Sequence, residues 1–133
     1  YGYADTAYKL LLQDAAPSWL YEVKQGATTV WETWTGIDTN GHPSESLNHY
    51  SYGAICGWLF GGVCGIHLAG ETLTIAPVFV DGIDWVKATY RDISVSWDKE
   101  NVTVVTPKNA ILILDGEEIP LTPGTVTYSR AKI

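Results

Sequence analysis

Hydrophobic positions change their period partway along the chain. Up to about Leu68 they cluster at helical spacings, and from Glu71 onward they alternate. Asp5 or Thr6 can cap a first helix that carries Ala7, Tyr8, Leu10, Leu11 and Leu12. Ala16-Pro17 interrupts it, and Pro17 in an N1-like position starts a second helix over Ser18 to Gln25, which Gly26 stops. A short segment from Ala27 to Trp34 then leads into a run of turn formers, Thr35 to Ser44. An apolar helix is expected beyond it, from roughly Ser46 to Leu68.

The second half reads as half-buried strands. Leu73 and Ile75, then Val86, Ala88 and Tyr90, then Ile93, Val95 and Trp97, then Val102 and Val104, each fall two residues apart in short runs separated by turn signals. Ala110 to Leu114, Glu117 to Leu121 and Thr125 to Ser129 continue the series, with Asp115-Gly116 as a hairpin turn. Short strands at this spacing predict an antiparallel β-sandwich, so the fold class is α+β. The two halves divide near Ala69-Gly70, with a helical domain over residues 1–69 and a sandwich over residues 70–133.

The apolar helix poses a question of cover. Ser51 to Gly70 holds no charged residue, and Gly53, Gly57, Gly61 and Gly65 recur every four positions, as in transmembrane helix pairs. Its flanks argue against a membrane: Glu45 and Glu71 stand where basic anchors would be, and His67 lies inside the run. The expectation is a helix buried on all sides. Two or three helices and a small sheet are too little to bury it, so either the protein self-associates into a dimer or the chain ends a larger helical domain.

Charge and cysteines narrow the function classes. Eight basic against 15 acidic residues give a net charge of −7, without a Lys/Arg cluster, which argues against a nucleic-acid-binding surface. Cys56 and Cys64, if helical, stand about 12 Å apart along the axis, too far for a disulfide. They are expected as two buried free thiols, in keeping with a reducing, cytoplasmic compartment. With no second cysteine pair or histidine pair nearby, neither a metal nor another cofactor is expected. Tyr1 to Leu10 does not have the form of a secretory leader, and a chain without Met is expected to be processed or excised.

Candidate chemistry gathers in Gln25-Gly-Ala-Thr-Thr-Val-Trp31-Glu32-Thr-Trp34 and Ser46-Leu-Asn-His49-Tyr-Ser-Tyr-Gly-Ala54. Glu32 stands between two indoles, an environment that desolvates a carboxylate and suits a general base. Indole faces also pack on the C–H faces of sugars, so the combination reads as a carbohydrate site. The alternative is that Trp31 and Trp34 fill a core while Glu32 sits on a solvated face. His49 could likewise donate to a ligand hydroxyl or bond a loop carbonyl. His42 is expected in solvent, and His67 near the last carbonyls of the apolar helix.

These motifs, with Trp58-Leu and the strand Trp85-Val-Lys-Ala-Thr-Tyr90, resemble the C-terminal end of bacterial α-L-rhamnosidases of glycoside hydrolase family 78 over roughly Pro17 to Thr106. The resemblance implies the last helices of an (α/α)6 barrel followed by a C-terminal β-sandwich. It implies that Glu32 is the general base, that His49 contacts substrate, and that Trp34 is an aromatic position of the same motif. A rhamnose-containing glycoside or polysaccharide is the implied substrate, and the rest of the barrel the implied cover for the apolar helix. The family inverts, so a second carboxylic acid is needed; Asp5, Asp14 and Glu22 lie in no motif that recommends them. Two positions depart from the pattern, Thr33 where a basic residue is frequent and Ile55-Cys56-Gly57 where a more polar stretch is. A non-catalytic carbohydrate-binding or self-associating module is the alternative function.

Overall fold

The structure, a computed structural model, describes residues 2–130. It separates into two compact units that divide between Cys56 and Gly57. In the first, α1 (Ala4–Leu12) starts after Tyr3 without a side-chain cap, so Asp5 lies in its first turn rather than at its cap. Helix α2 (Trp19–Lys24) is capped by Ser18, whose Oγ accepts the Tyr21 amide at 3.0 Å. Pro17 therefore precedes the cap instead of filling N1. Gly26 at φ 83° ends α2 as its position foretold, since a left-handed residue just past a helix favours glycine.

The long apolar helix is not formed as expected. Ser46 to His49 is irregular, and the helical run is split into α3 (Tyr50–Gly53), α4 (Ile55–Trp58) and a π-helical turn, Leu59–Val63. Glycine accounts for this. Each glycine weakens a helix by about 1 kcal/mol relative to alanine, and the Trp58 indole lies where a Cβ on Gly62 would be, 2.3 Å from Nε1. The Cys64 amide reaches five residues back to Leu59 O at 3.0 Å, which widens the last turn. Cys64 is buried, but Cys56 is exposed, which corrects the expectation of two buried thiols. Among the described residues no helix is long and apolar enough to cross a membrane.

Gly65 then turns the chain at φ 74° into a strand. A Cβ there would stand 2.1 Å from the Ala76 carbonyl carbon, and Gly65 O accepts the Ala76 amide at 2.8 Å. Thus Ile66 to Ala69 is β1, not the end of a helix, and His67 pairs with Thr74 of β2 (Thr72–Ile75) instead of capping carbonyls. The division expected at Ala69-Gly70 falls in the turn of the β1–β2 hairpin.

Among the described residues, eight strands form two four-stranded sheets. One has the order β1 (Ile66–Ala69), β2 (Thr72–Ile75), β6 (Ala110–Leu114), β7 (Glu117–Leu121); the other β3 (Trp85–Tyr90), β4 (Ile93–Asp98), β5 (Asn101–Thr106), β8 (Gly124–Ser129). All neighbours are antiparallel except β2 and β6, which run parallel with Thr74 opposite Ile111, so the purely antiparallel expectation is corrected at one pair. Leu73, Ile75, Leu112 and Leu114 of one sheet and Val95, Trp97, Val102 and Val104 of the other are buried. Each sheet thus hides one alternating face, as a sandwich requires. Trp97 spans this core, donating Nε1–H to Val63 O at 3.2 Å with Phe79 edge-on at 5.1 Å.

Candidate functional site

The site lies within the first unit, where two irregular segments run side by side. The Glu32 amide donates to Ser46 O and the His49 amide to Val30 O, both at 2.9 Å, and Thr29 Oγ1 donates to Leu47 O. These bonds pair residues 29–32 with 46–49 although neither is a regular strand. The consequence is a fixed juxtaposition of the two candidate side chains. His49 Nε2 stands 3.8 Å from Glu32 Oε1, too long for a direct hydrogen bond and short enough for both to reach one small group.

His49 is oriented from below. It caps α3, its Nδ1 accepting the Ser51 amide at 3.2 Å, so the neutral ring carries its proton on Nε2, on the side of Glu32. Its ring stacks at 4.9 Å on Tyr50, which is 83 % exposed. Glu32 Oε2 accepts the Ser46 amide at 3.3 Å, leaving Oε1 toward His49.

The two indoles that flank Glu32 in sequence take different places. Trp31 turns into the core, packed so closely on Gly36 that a Cβ there would stand 3.0 Å from the ring. Trp34 joins an aromatic cluster, stacked on Tyr52 at 4.1 Å and edge-to-face with Trp19 at 5.2 Å. Trp19 is itself held by Nε1–H donation to Tyr52 O at 3.1 Å. The Glu32 side chain remains 40 % exposed. A shallow cleft beside it is lined by Val30, Asn48, His49, Tyr50, Gly53 and Ala54; it includes His49 but neither Glu32 nor Trp34.

The loop after Trp34 closes on itself. Asp38 Oδ1 accepts the His42 amide at 2.9 Å and the Asn40 amide at 2.8 Å, and these backbone donors, His42 foremost, hold its carboxyl below the usual carboxylate range. His42 is exposed, as expected, 3.8 Å from that carboxylate. Of the other acids weighed from the sequence, Asp14 pairs with Lys24, and Asp5 is exposed on α1. Among the described residues, no group of three His, Cys, Asp or Glu side chains could hold a metal.

Sequence reasoning set Glu22 aside and did not foresee its burial. It is 2 % exposed on α2, and its Oε2 accepts the Trp31 amide at 3.1 Å, one residue before Glu32. Its spacing from Ser18, four residues on the same helical face, is the signal that could have found it, since Ser18 is buried too.

Residues 1–63 match the family model of the bacterial alpha-L-rhamnosidase six-hairpin glycosidase domain. The chain is 37 % identical to an alpha-L-rhamnosidase of Formosa agariphila and 34 % identical to one of Alteromonas sp., in each case across 81 % of this chain and 13 % of the relative. Its fold matches the crystal structure of the Streptomyces avermitilis alpha-L-rhamnosidase complexed with L-rhamnose, with a TM-score of 0.82 and 24 % identity over 98 % of this chain and 16 % of that one. The resemblance carried by the Glu32 and His49 motifs is thus borne out: the chain is related to a stretch of the bacterial α-L-rhamnosidases. It spans only about an eighth of the length of the curated relatives.

Proposed function

We propose that this chain is the base-bearing portion of an inverting, α-L-rhamnosidase-like glycoside hydrolase that removes terminal L-rhamnose from glycosides or polysaccharides. The observation that carries the reading is the approach of His49 Nε2 to within 3.8 Å of the half-open Glu32 carboxylate, inside the segment that matches the glycosidase domain. Glu32 takes a proton from the water that attacks the anomeric carbon. His49, with its proton on Nε2, donates to a sugar hydroxyl at the same place, and Trp34, braced by Trp19 and Tyr52, offers the sugar an apolar wall. The helical unit completes an (α/α)6 barrel, whose other helices cover the exposed apolar side chains and bring the general acid. That acid must stand about 6.5 to 9.5 Å from Glu32 to leave room for the water.

Glu32→Gln in a full-length enzyme carrying this sequence is expected to lower kcat by about 10²- to 10⁴-fold with the fold intact. Wild-type turnover would remove Glu32 from the mechanism. NMR of the first product should show the inverted anomer; retention would overturn the water-activating role. The shallow cleft at His49, which excludes Glu32, favours a second reading as a non-catalytic carbohydrate-binding module. Saturable binding of L-rhamnose by this chain alone would support that reading, and no binding fits an incomplete barrel.

A further inference from the structure

Glu22 is an unusual residue to bury. A carboxylate costs several kcal/mol to take out of water unless its oxygens are satisfied, yet Glu22 is 2 % exposed and only Oε2 has a partner in the structure, with Oε1 left without one. That partner is the backbone amide of Trp31. Glu22 also accepts the Ala27 amide with its own carbonyl oxygen at 3.0 Å. One residue therefore fastens the segment at both ends, at Ala27 and at Trp31, immediately before Glu32. Ser18 anchors Glu22 in turn, because its cap sets the first turn of α2 and its carbonyl receives the Glu22 amide at 3.4 Å.

The opposite side of the segment is held by the bonds from Glu32 N to Ser46 O and from His49 N to Val30 O. Without the Glu22 carboxylate the Trp31 amide loses its partner, and the backbone bond at Ala27 is left to hold the near end of the segment. An error of about 1 Å in the placement of a reacting group can cost about 10²-fold in rate, so a ligature one residue from the base bears directly on turnover.

We propose that Glu22 is a positioning residue for Glu32: its buried carboxylate, accepting the Trp31 amide, sets the backbone from which Glu32 reaches the attacking water. This rests on the reading of Glu32 as the base. The role requires an acceptor at the distance of Oε2, not a negative charge, and that distinguishes it from an electrostatic contribution. Glu22→Gln keeps an amide oxygen at the same reach without the charge. Glu22→Asp keeps the charge but draws the acceptor back by one methylene, about 1.5 Å.

The test uses a full-length enzyme carrying this sequence, with steady-state kinetics on an aryl α-L-rhamnoside and thermal unfolding of each variant. Glu22→Gln is expected to hold kcat within about threefold of wild type. Glu22→Asp is expected to lower kcat by at least about tenfold with KM within about threefold and the folded state retained, a split that a general loss of structure would not give. Wild-type kcat in Glu22→Asp, or an equal loss in Glu22→Gln, overturns the assignment. Glu32→Gln, measured in parallel, separates the two failures: an inactive Glu32→Gln beside a fully active Glu22→Asp sinks the role of Glu22 alone, whereas an active Glu32→Gln sinks the base and Glu22 with it.

Discussion

Single residues decide where this backbone can go, and Gly65 shows it most sharply. The chain there must leave a helical turn, adopt φ 74°, and pass against the backbone of Ala76 and Pro77. A side chain meets both obstacles at once, since any Cβ stands 2.1 to 2.3 Å from backbone atoms that cannot swing aside. Gly70, at φ 59° in the β1–β2 turn, meets only the first, because nothing lies within 4 Å of its Cβ position. Gly70→Ala is therefore expected to cost about 1 kcal/mol and Gly65→Ala at least about twice that. Urea unfolding followed by far-UV circular dichroism would check both; equal midpoints would refute the steric contribution. Legibility in the sequence varied for the same kind of reason. Gly26 announced a helix end because its conformational freedom is local, whereas Gly65 could not announce a strand, because what it approaches is ten or more residues away in the chain. The burial of Glu22 was hard to read for a similar reason: α2 presents Val23, 61 % exposed, to solvent and hides a carboxylate, the reverse of what residue polarity suggests.

Elements were legible to the extent that one period and one turn define them. The Asp115-Gly116 hairpin needs positive φ at both central residues, and both have it, at 53° and 82°, between β6 and β7 as expected. Alternation also reported faithfully which side chains of β4 and β5 are buried. It could not report the direction of a partner, and the parallel pairing of β2 with β6 escaped it. The turn from β4 to β5 adds a titratable clamp. Asp98 Oδ1 accepts the amides of Glu100 and Asn101, each at 2.8 Å, and these donors, with Arg130 beyond them, hold its carboxyl below the usual range. A folded-state pKa below the unfolded one means stability that is present above the unfolded pKa and lost as pH falls through the folded one. The stability gap between wild type and Asp98→Ala should accordingly be constant above about pH 5 and narrow below about pH 4. Urea midpoints across that range would show it, and a gap indifferent to pH would remove the clamp.

Across the whole chain the distribution of core is uneven, and this bears on the function proposed. Among the described residues, the buried apolar side chains of the first unit are Tyr8 and Trp31, while the second unit buries entire faces of β2, β4, β5 and β6. The first unit instead exposes Leu10, Leu12, Val23 and Tyr50. Local opening free energy follows buried apolar contact, so the two units should differ in hydrogen exchange. In this chain alone, at low concentration, amides of Val95, Val102, Val104 and Leu112 are expected to exchange slowest, and those of α1, α2 and α3 faster by orders of magnitude. The same amides in a full-length enzyme separate the ways in which the exposed side chains can be covered. If barrel helices cover them, protection of α1 to α3 rises in the longer protein and is independent of concentration, while the strands barely change. If a second copy covers them, protection of the short chain rises with its own concentration. Equal protection of helices and strands in the dilute short chain would contradict the uneven core. It would leave Glu32 and His49 on a unit stable enough to act without a partner.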